Sequence, residues 1–284
     1  MTSQDRREIR YRRRKQQRLE KNMRRAAIYG EIDDILGFHI LNKSSKKSRQ
    51  NVMWKPSVQS YKSNLCINSI KSANQLKSHT WISKGFYEFD IIERGKPRHI
   101  ESVAFSEKVI QRSFSDNCLI PIIRPHLIYD NGASLKGKGT SFALNRLLYH
   151  MRRHYQKYGK IGGIYLFDFK NYFKNIQNIK LKSKVIPLLP DNYSRTLFND
   201  LINAFKDDGL GLGSQVSQIS AIFYPNQVDH FIKDKLQIKG YGRYMDDGYI
   251  IFHDITELKK IIKLFENFCE ANGIKMNKKK CQIT

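Results

Sequence analysis

Tyr244-Met245-Asp246-Asp247-Gly248, followed by Tyr249-Ile250-Ile251-Phe252, sets two adjacent carboxylates at the head of an apolar strand. Upstream, Phe167-Asp168-Phe169-Lys170-Asn171-Tyr172-Phe173 sets a third aspartate at the end of another, Gly162 to Phe167. An Asp-Gly step alone is a turn signal with solvated acids. Apolar flanks and an upstream partner strand point instead to a hairpin tip. Adjacent carboxylates repel and have raised pKa values unless a cation sits between them. Magnesium suits such oxygen ligands and takes its remaining ligands from water and substrate phosphates. Three converging carboxylates in a basic protein fit two-metal phosphoryl transfer.

Around these stretches the chain alternates strands and helices without a regular βαβ rhythm, which predicts an α+β fold. Phe86 to Ile92 and Arg98 to Val103 read as strands around a turn at Arg94-Gly95-Lys96-Pro97. A helix is predicted from Thr140, as its cap, to Tyr158, ended by Gly159. Further helices are expected over Asn192 to Phe205, over Val216 to Leu236 with a bend at Pro225, and over Thr256 to Ala271. Asn42 to Asn51, rich in Ser, Lys and Asn, reads as a linker. The division expected is a basic arm and linker over 1–45, a second unit over 46–160 and a catalytic unit over 161–284.

The charge is as informative as the motifs. The 284 residues carry 51 Lys or Arg against 26 Asp or Glu, a net +25. Such an excess opposes compaction, and a polyanionic partner relieves it. Phosphate backbones are the usual partner, through counterion release. Residues 5–25 hold eleven Lys or Arg, Arg12, Arg13 and Arg14 among them, and read equally as a polar helix or a disordered basic arm. No run of eighteen apolar residues exists, and the start lacks a secretory apolar core. Cys66, Cys118, Cys269 and Cys281 form no C-x-x-C pair, which argues against zinc or a disulfide framework and fits a reducing cytoplasm.

Tyr-Met-Asp-Asp after a helix and before a strand resembles the hallmark of the reverse-transcriptase palm. Asp168-Phe169-Lys170-Asn171-Tyr172-Phe173 is similar to the first palm motif, Leu212-Gly213-Ser214-Gln215-Val216-Ser217-Gln218 to the third element, and Gly273 to Cys281 to the fourth. Order and spacing agree over residues 86–284. The resemblance implies right-hand polymerase fingers over 46–160 and a palm over 161–284, with a ferredoxin-like sheet carrying helices on one face. It also implies a primer grip and thumb after the fourth motif, expected to be absent from this sequence, which is then either a fragment or served by another chain. Leu212 stands where most relatives have Gln, and Gln218 where they have Pro. That form resembles the reverse transcriptases of diversity-generating retroelements, which copy RNA with errors opposite adenine beside a small basic accessory protein.

The resemblance assigns roles. Asp168 and Asp246 would bridge two Mg2+ ions, for which Mn2+ can substitute, with Asp247 supporting and the Phe169 backbone beside them. Template RNA, primer or product DNA and dNTPs are the implied partners. Arg98, with Lys96, would clamp the triphosphate, and the Phe169 N–H would meet it. Tyr172 would be the steric gate or else a buried palm aromatic. Leu212, Gly213 and Gln218 would lie beside the incoming nucleotide. Lys280 would protonate pyrophosphate, with a solvated basic turn as the alternative. Gly132 to Thr140 nearly spells a phosphate-binding loop, but Gly139 occupies the required Ser/Thr position. It reads better as a basic loop whose Lys136 and Lys138 meet nucleic acid. Other readings remain open: a group II intron, retron or phage-defence relative, or a non-catalytic RNA-binding protein on the same fold.

Overall fold

A computed structural model describes residues 9, 13, 16, 17, 20, 35–93, 95–205 and 209–284. Toward the N-terminus, α1 (Phe38–Ser48), α2 (Pro56–Ser63) and α3 (Leu65–Lys77) gather around α4 (Phe105–Phe114). The stretch expected to be a linker is thus mostly helix. Its polar composition conceals a face at helical spacing, Leu41, Ser44 and Ser45, all buried. Serine is small enough to let two helices approach closely, so low hydropathy here marks tight packing. The boundary expected at residue 45 falls inside α1. Leu41, Leu76, Val109, Ile110 and Phe114 form the core of this unit.

Between α3 and α4 stands a two-stranded hairpin, β1 (Phe86–Glu93) and β2 (Lys96–Val103), in continuous antiparallel register from Phe86↔Val103 to Glu93↔Lys96. Gly95 turns it with φ +74°, a value that favours glycine. Then comes α5 (Thr140–Tyr158). Thr140 is not its cap: Gly139 precedes the helix in an extended conformation, with no side-chain cap bond. At the other end Gly159 takes φ +64°, as expected.

A four-stranded antiparallel sheet follows from β3 (Gly163–Asp168), β4 (Tyr241–Tyr244), β5 (Asp247–Phe252) and β6 (Gln282–Ile283), in spatial order β4-β5-β3-β6. That is a ferredoxin-like order. Helices α6 (Asn178–Val185), α7 (Asn192–Asn203) and α8 (Gln215–Phe223) lie between β3 and β4, and α9 (Ile255–Ala271) links β5 to β6. As expected, the chain breaks at Pro225 before continuing through Asn226–His230.

Alternation along the strands sorts the residues. Tyr165, Phe167 and Ile250 point to one face, where Phe167 meets Phe265 of α9 at 4.8 Å between ring centres. Such a pair contributes about 1 kcal/mol beyond the area it buries. Asp168, Leu166, Tyr249 and Asp247 point to the other face. The expectation of helices on one face only is corrected there. Helix α5 covers part of the second face, with His150 Nδ1 2.9 Å from the Tyr249 hydroxyl. Among the described residues, no helix is long and apolar enough to cross a membrane.

Candidate active site

The three aspartates converge because the strands are in register. Asp168, last in β3, sits opposite Asp247, first in β5. Asp246 occupies the turn between β4 and β5, and its carbonyl accepts the Phe169 N–H at 3.0 Å. Asp168 is buried, Asp246 partly buried and Asp247 exposed.

Burial raises the Asp168 pKa, but hydrogen bonds with Lys280, Asp247 and Asn277 outweigh it and hold the carboxyl below the ordinary range. Asp246 is pushed up, first by desolvation and then by the charge of Asp168. Desolvation, the shared hydrogen bond with Asp168 and the neighbouring charges push Asp247 up to about 6. Two acids whose ionised forms are disfavoured, next to a third that is ionised, make a site short of positive charge.

Lys280 supplies part of that charge. Its ammonium donates to Asp168 Oδ2, and this bond raises its own pKa. Asn277 Nδ2 donates to Asp168 Oδ1 at 2.8 Å, and the Asn277 N–H donates to the Asp168 carbonyl at 2.8 Å. Among the described residues no three His, Cys, Asp or Glu side chains stand in metal-ligating geometry. The donor set nonetheless suits a hard divalent cation: three clustered carboxylates, two with raised pKa values and an ammonium already pressed against the third.

Several sequence-predicted residues meet here. Arg98 is exposed on β2, yet its charge reaches Asp246 and pulls that carboxyl downward. Lys96 opens the same strand opposite Glu93. Gly213 is forced: a Cβ there would lie 2.2 Å from the Glu101 carbonyl oxygen, so the loop runs hard against β2. Half-buried Leu212 is held beside it. Ser214 caps α8 by accepting the Ser217 N–H at 3.2 Å, and it donates to Gln111 at 2.9 Å. Gln218 is exposed on α8.

Other assignments change. Tyr172 is only 5% exposed, and its hydroxyl donates to the Ala221 carbonyl at 2.5 Å. It is a core residue, and the half-exposed aromatic is its neighbour Phe173. The Phe169 N–H is taken by Asp246, so it is not open to a triphosphate. Lys138 is pinned against the rings of Tyr129 and Phe142, at 4.5 and 3.7 Å from their centres, and donates to the Tyr129 carbonyl. Lys136 is exposed. Arg13 is helical and exposed, while Arg12 and Arg14 lie outside the described residues.

Two features carried no sequence signal strong enough to single them out. Arg243 is fully buried in a bidentate pair with Asp229, at 2.8 and 2.7 Å. Its one signal is parity: it shares with Tyr241 the face of the strand that meets the core. Asp130 holds Arg146 at 2.6 Å and Lys233 at 2.8 Å, and the 130–132 segment pairs with β4. Nothing local marks that cluster, because Asp130 and Lys233 lie far apart in the chain. Between α5 and the β4–β5 hairpin a cleft of about 210 Å3, lined by Ala143, Leu144, Leu147, Tyr244 and Tyr249, opens beside Asp247.

No curated protein matches the chain in sequence. Among solved structures it is similar to telomerase from Candida albicans in complex with a fragment of telomeric RNA, with a TM-score of 0.54 and 14% identity over 72% of this chain and 43% of that one. Telomerase from Candida tropicalis truncated from its C-terminal domain gives a TM-score of 0.52 and 14% identity, over 74% and 53%. The chain thus spans about half the length of these proteins, and at such identity the likeness concerns the fold. The sequence profile of the reverse transcriptase (RNA-dependent DNA polymerase) family matches residues 93–284, most of the chain. By that match the chain belongs to the reverse transcriptase family.

Proposed function

We propose that this chain is the fingers and palm of an RNA-templated DNA polymerase, with residues 161–284 as the palm and the β1–β2 hairpin as part of the fingers. The observation that carries the reading is the convergence of Asp168 and Asp247, opposite each other on one sheet face, with Asp246 in the adjoining turn; Asp246 and Asp247 have raised pKa values. Bound there, two divalent ions, Mg2+ or Mn2+, would activate a primer 3′-hydroxyl and neutralise the leaving pyrophosphate. The three carboxylates would hold them. Arg98 would bind the triphosphate, a task that suits a planar fork of donors. Lys280, kept protonated by its bond to Asp168, would hold a proton at Nζ for the leaving group. Phe173, half-exposed beside the buried Tyr172, would be the aromatic that meets the nucleotide sugar.

Template RNA, primer DNA and dNTPs are the substrates on this reading, and the +25 charge suits them. The finer assignment to the diversity-generating type rests on Leu212 and Gln218 alone. Leu212 offers no hydrogen bond with which to reward correct base geometry. An accessory protein belongs to that finer reading.

The test is primer extension on matched RNA and DNA templates, with sequenced products, beside Asp246→Asn. RNA-dependent synthesis that the variant lacks supports the polymerase. Wild-type synthesis in Asp246→Asn, or no template-dependent synthesis by the wild type, overturns it. An error spectrum no higher at template adenine than elsewhere removes the diversity-generating type alone.

A further inference from the structure

We propose that Arg243, clamped by Asp229, is a positioning residue that fixes the direction of the Asp246 carboxylate; the role rests on the polymerase reading above. The catalytic turn is only Met245 and Asp246, between Tyr244 of β4 and Asp247 of β5. Met245 sits in the left-handed region at φ +55°, a conformation that an unbranched non-glycine residue takes only when its surroundings hold it. Arg243 Nη1 donates to the Met245 carbonyl at 2.7 Å. The Phe169 N–H donates to the next carbonyl, that of Asp246, at 3.0 Å. The peptide groups on both sides of the Asp246 α-carbon are therefore held, one by Arg243 and one by Phe169, the residue after β3. With the backbone held on both sides, the Asp246 Cα–Cβ bond has one direction, and the carboxylate is left only its staggered rotamers.

Arg243 is itself immobile. Asp229 accepts its Nε at 2.8 Å and Nη2 at 2.7 Å, and Nη2 also donates to the Ile222 carbonyl in α8 at 2.9 Å. The Tyr241 hydroxyl donates to Asp229 Oδ1 at 2.6 Å, so the carboxylate is fixed too. Arg243 and Asp229 are both 0% exposed at the side chain. Burial works against the guanidinium charge, but Asp229 outweighs it and raises the Arg243 pKa. Lysine could keep the charge but not the fork, which reaches Asp229, Ile222 and Met245 together.

The test compares Arg243→Lys and the double variant Asp229→Leu/Arg243→Met with the wild type. The double variant replaces a buried ion pair by apolar groups of similar volume, a change that folds commonly tolerate. Mn2+ binding followed by electron paramagnetic resonance, melting temperature, RNA affinity, and kcat and KM in primer extension are measured. In a variant with wild-type melting and RNA affinity, the expected result is about tenfold weaker Mn2+ binding and a kcat lower by at least about tenfold, with KM for template–primer unchanged. Wild-type Mn2+ affinity and kcat in either folded variant overturn the role. If both variants unfold, the pair serves the fold as a whole and the positioning role is rejected. Failure of the wild type to extend any primer would instead overturn the polymerase reading.

Discussion

The molecule carries two hairpins of opposite construction. In β4–β5 every contact restrains: Ile250 is fully buried, Arg243 is bolted from beneath, and β3 is in register alongside. Among the described residues, β1 and β2 pair only with each other, and Tyr87, Phe89 and Ile92 stay exposed, Ile92 at 81%. One hairpin holds the carboxylates to which the proposed function assigns the divalent cations. The other carries Arg98, which only has to reach across. The difference teaches that this fold places rigidity where charges of like sign must be kept together, and leaves freedom where opposite charges attract over distance.

The sharpest way to break the contrast is at the rigid hairpin. Asp246→Asn should lower nucleotide incorporation by at least about 10³-fold while RNA binding stays close to wild type, since phosphate contacts are spared. Filter binding and single-nucleotide extension on one preparation would check both halves. A core truncation comes next. Ile250→Ala should cost about 2–5 kcal/mol in denaturant unfolding, whereas Ile92→Ala on the open hairpin should change stability by less than about 0.5 kcal/mol. Equal costs would show that β1–β2 packs against something in solution.

Arg98→Ala is expected to reduce kcat/KM for the nucleotide by about 10–100-fold at an unchanged melting temperature. An unchanged value would mean that its field at Asp246 has no counterpart at the substrate. The smallest effect concerns pH. Asp247 is raised to about 6 in the fold, so the folded, metal-free chain binds a proton there while the unfolded chain is still ionised. Stability should therefore rise as pH falls from about 6 toward the ordinary aspartate value of about 4. Below that, Asp168, whose pKa is lowered, works the other way, and its contribution is lost on protonation. Asp247→Asn should flatten the upper segment in urea melts taken across this range.

Much of this arrangement is legible in the amino-acid sequence. The strand ends that bear Asp168 and Asp247, the break at Pro225 and the glycine after α5 follow from local chemistry. What stays hidden depends on partners far away in the chain. Tyr172 and Phe173 differ by one position, and only the fold decides which ring turns inward. Ser44 and Ser45 look like linker until another helix packs against them. Asn277 stands within the fourth motif, but its grip on Asp168 comes from a bridge between Phe169 and Met276 that no spacing rule reveals.

Both oxygens of Asp168 are engaged, one by Asn277 and the other by Lys280. The site therefore carries its own internal counter-ion. On the polymerase reading, a divalent cation held by these carboxylates would compete with that ammonium for Asp168 Oδ2. A displaced Lys280 would stay tethered near the carboxylates, two residues before β6.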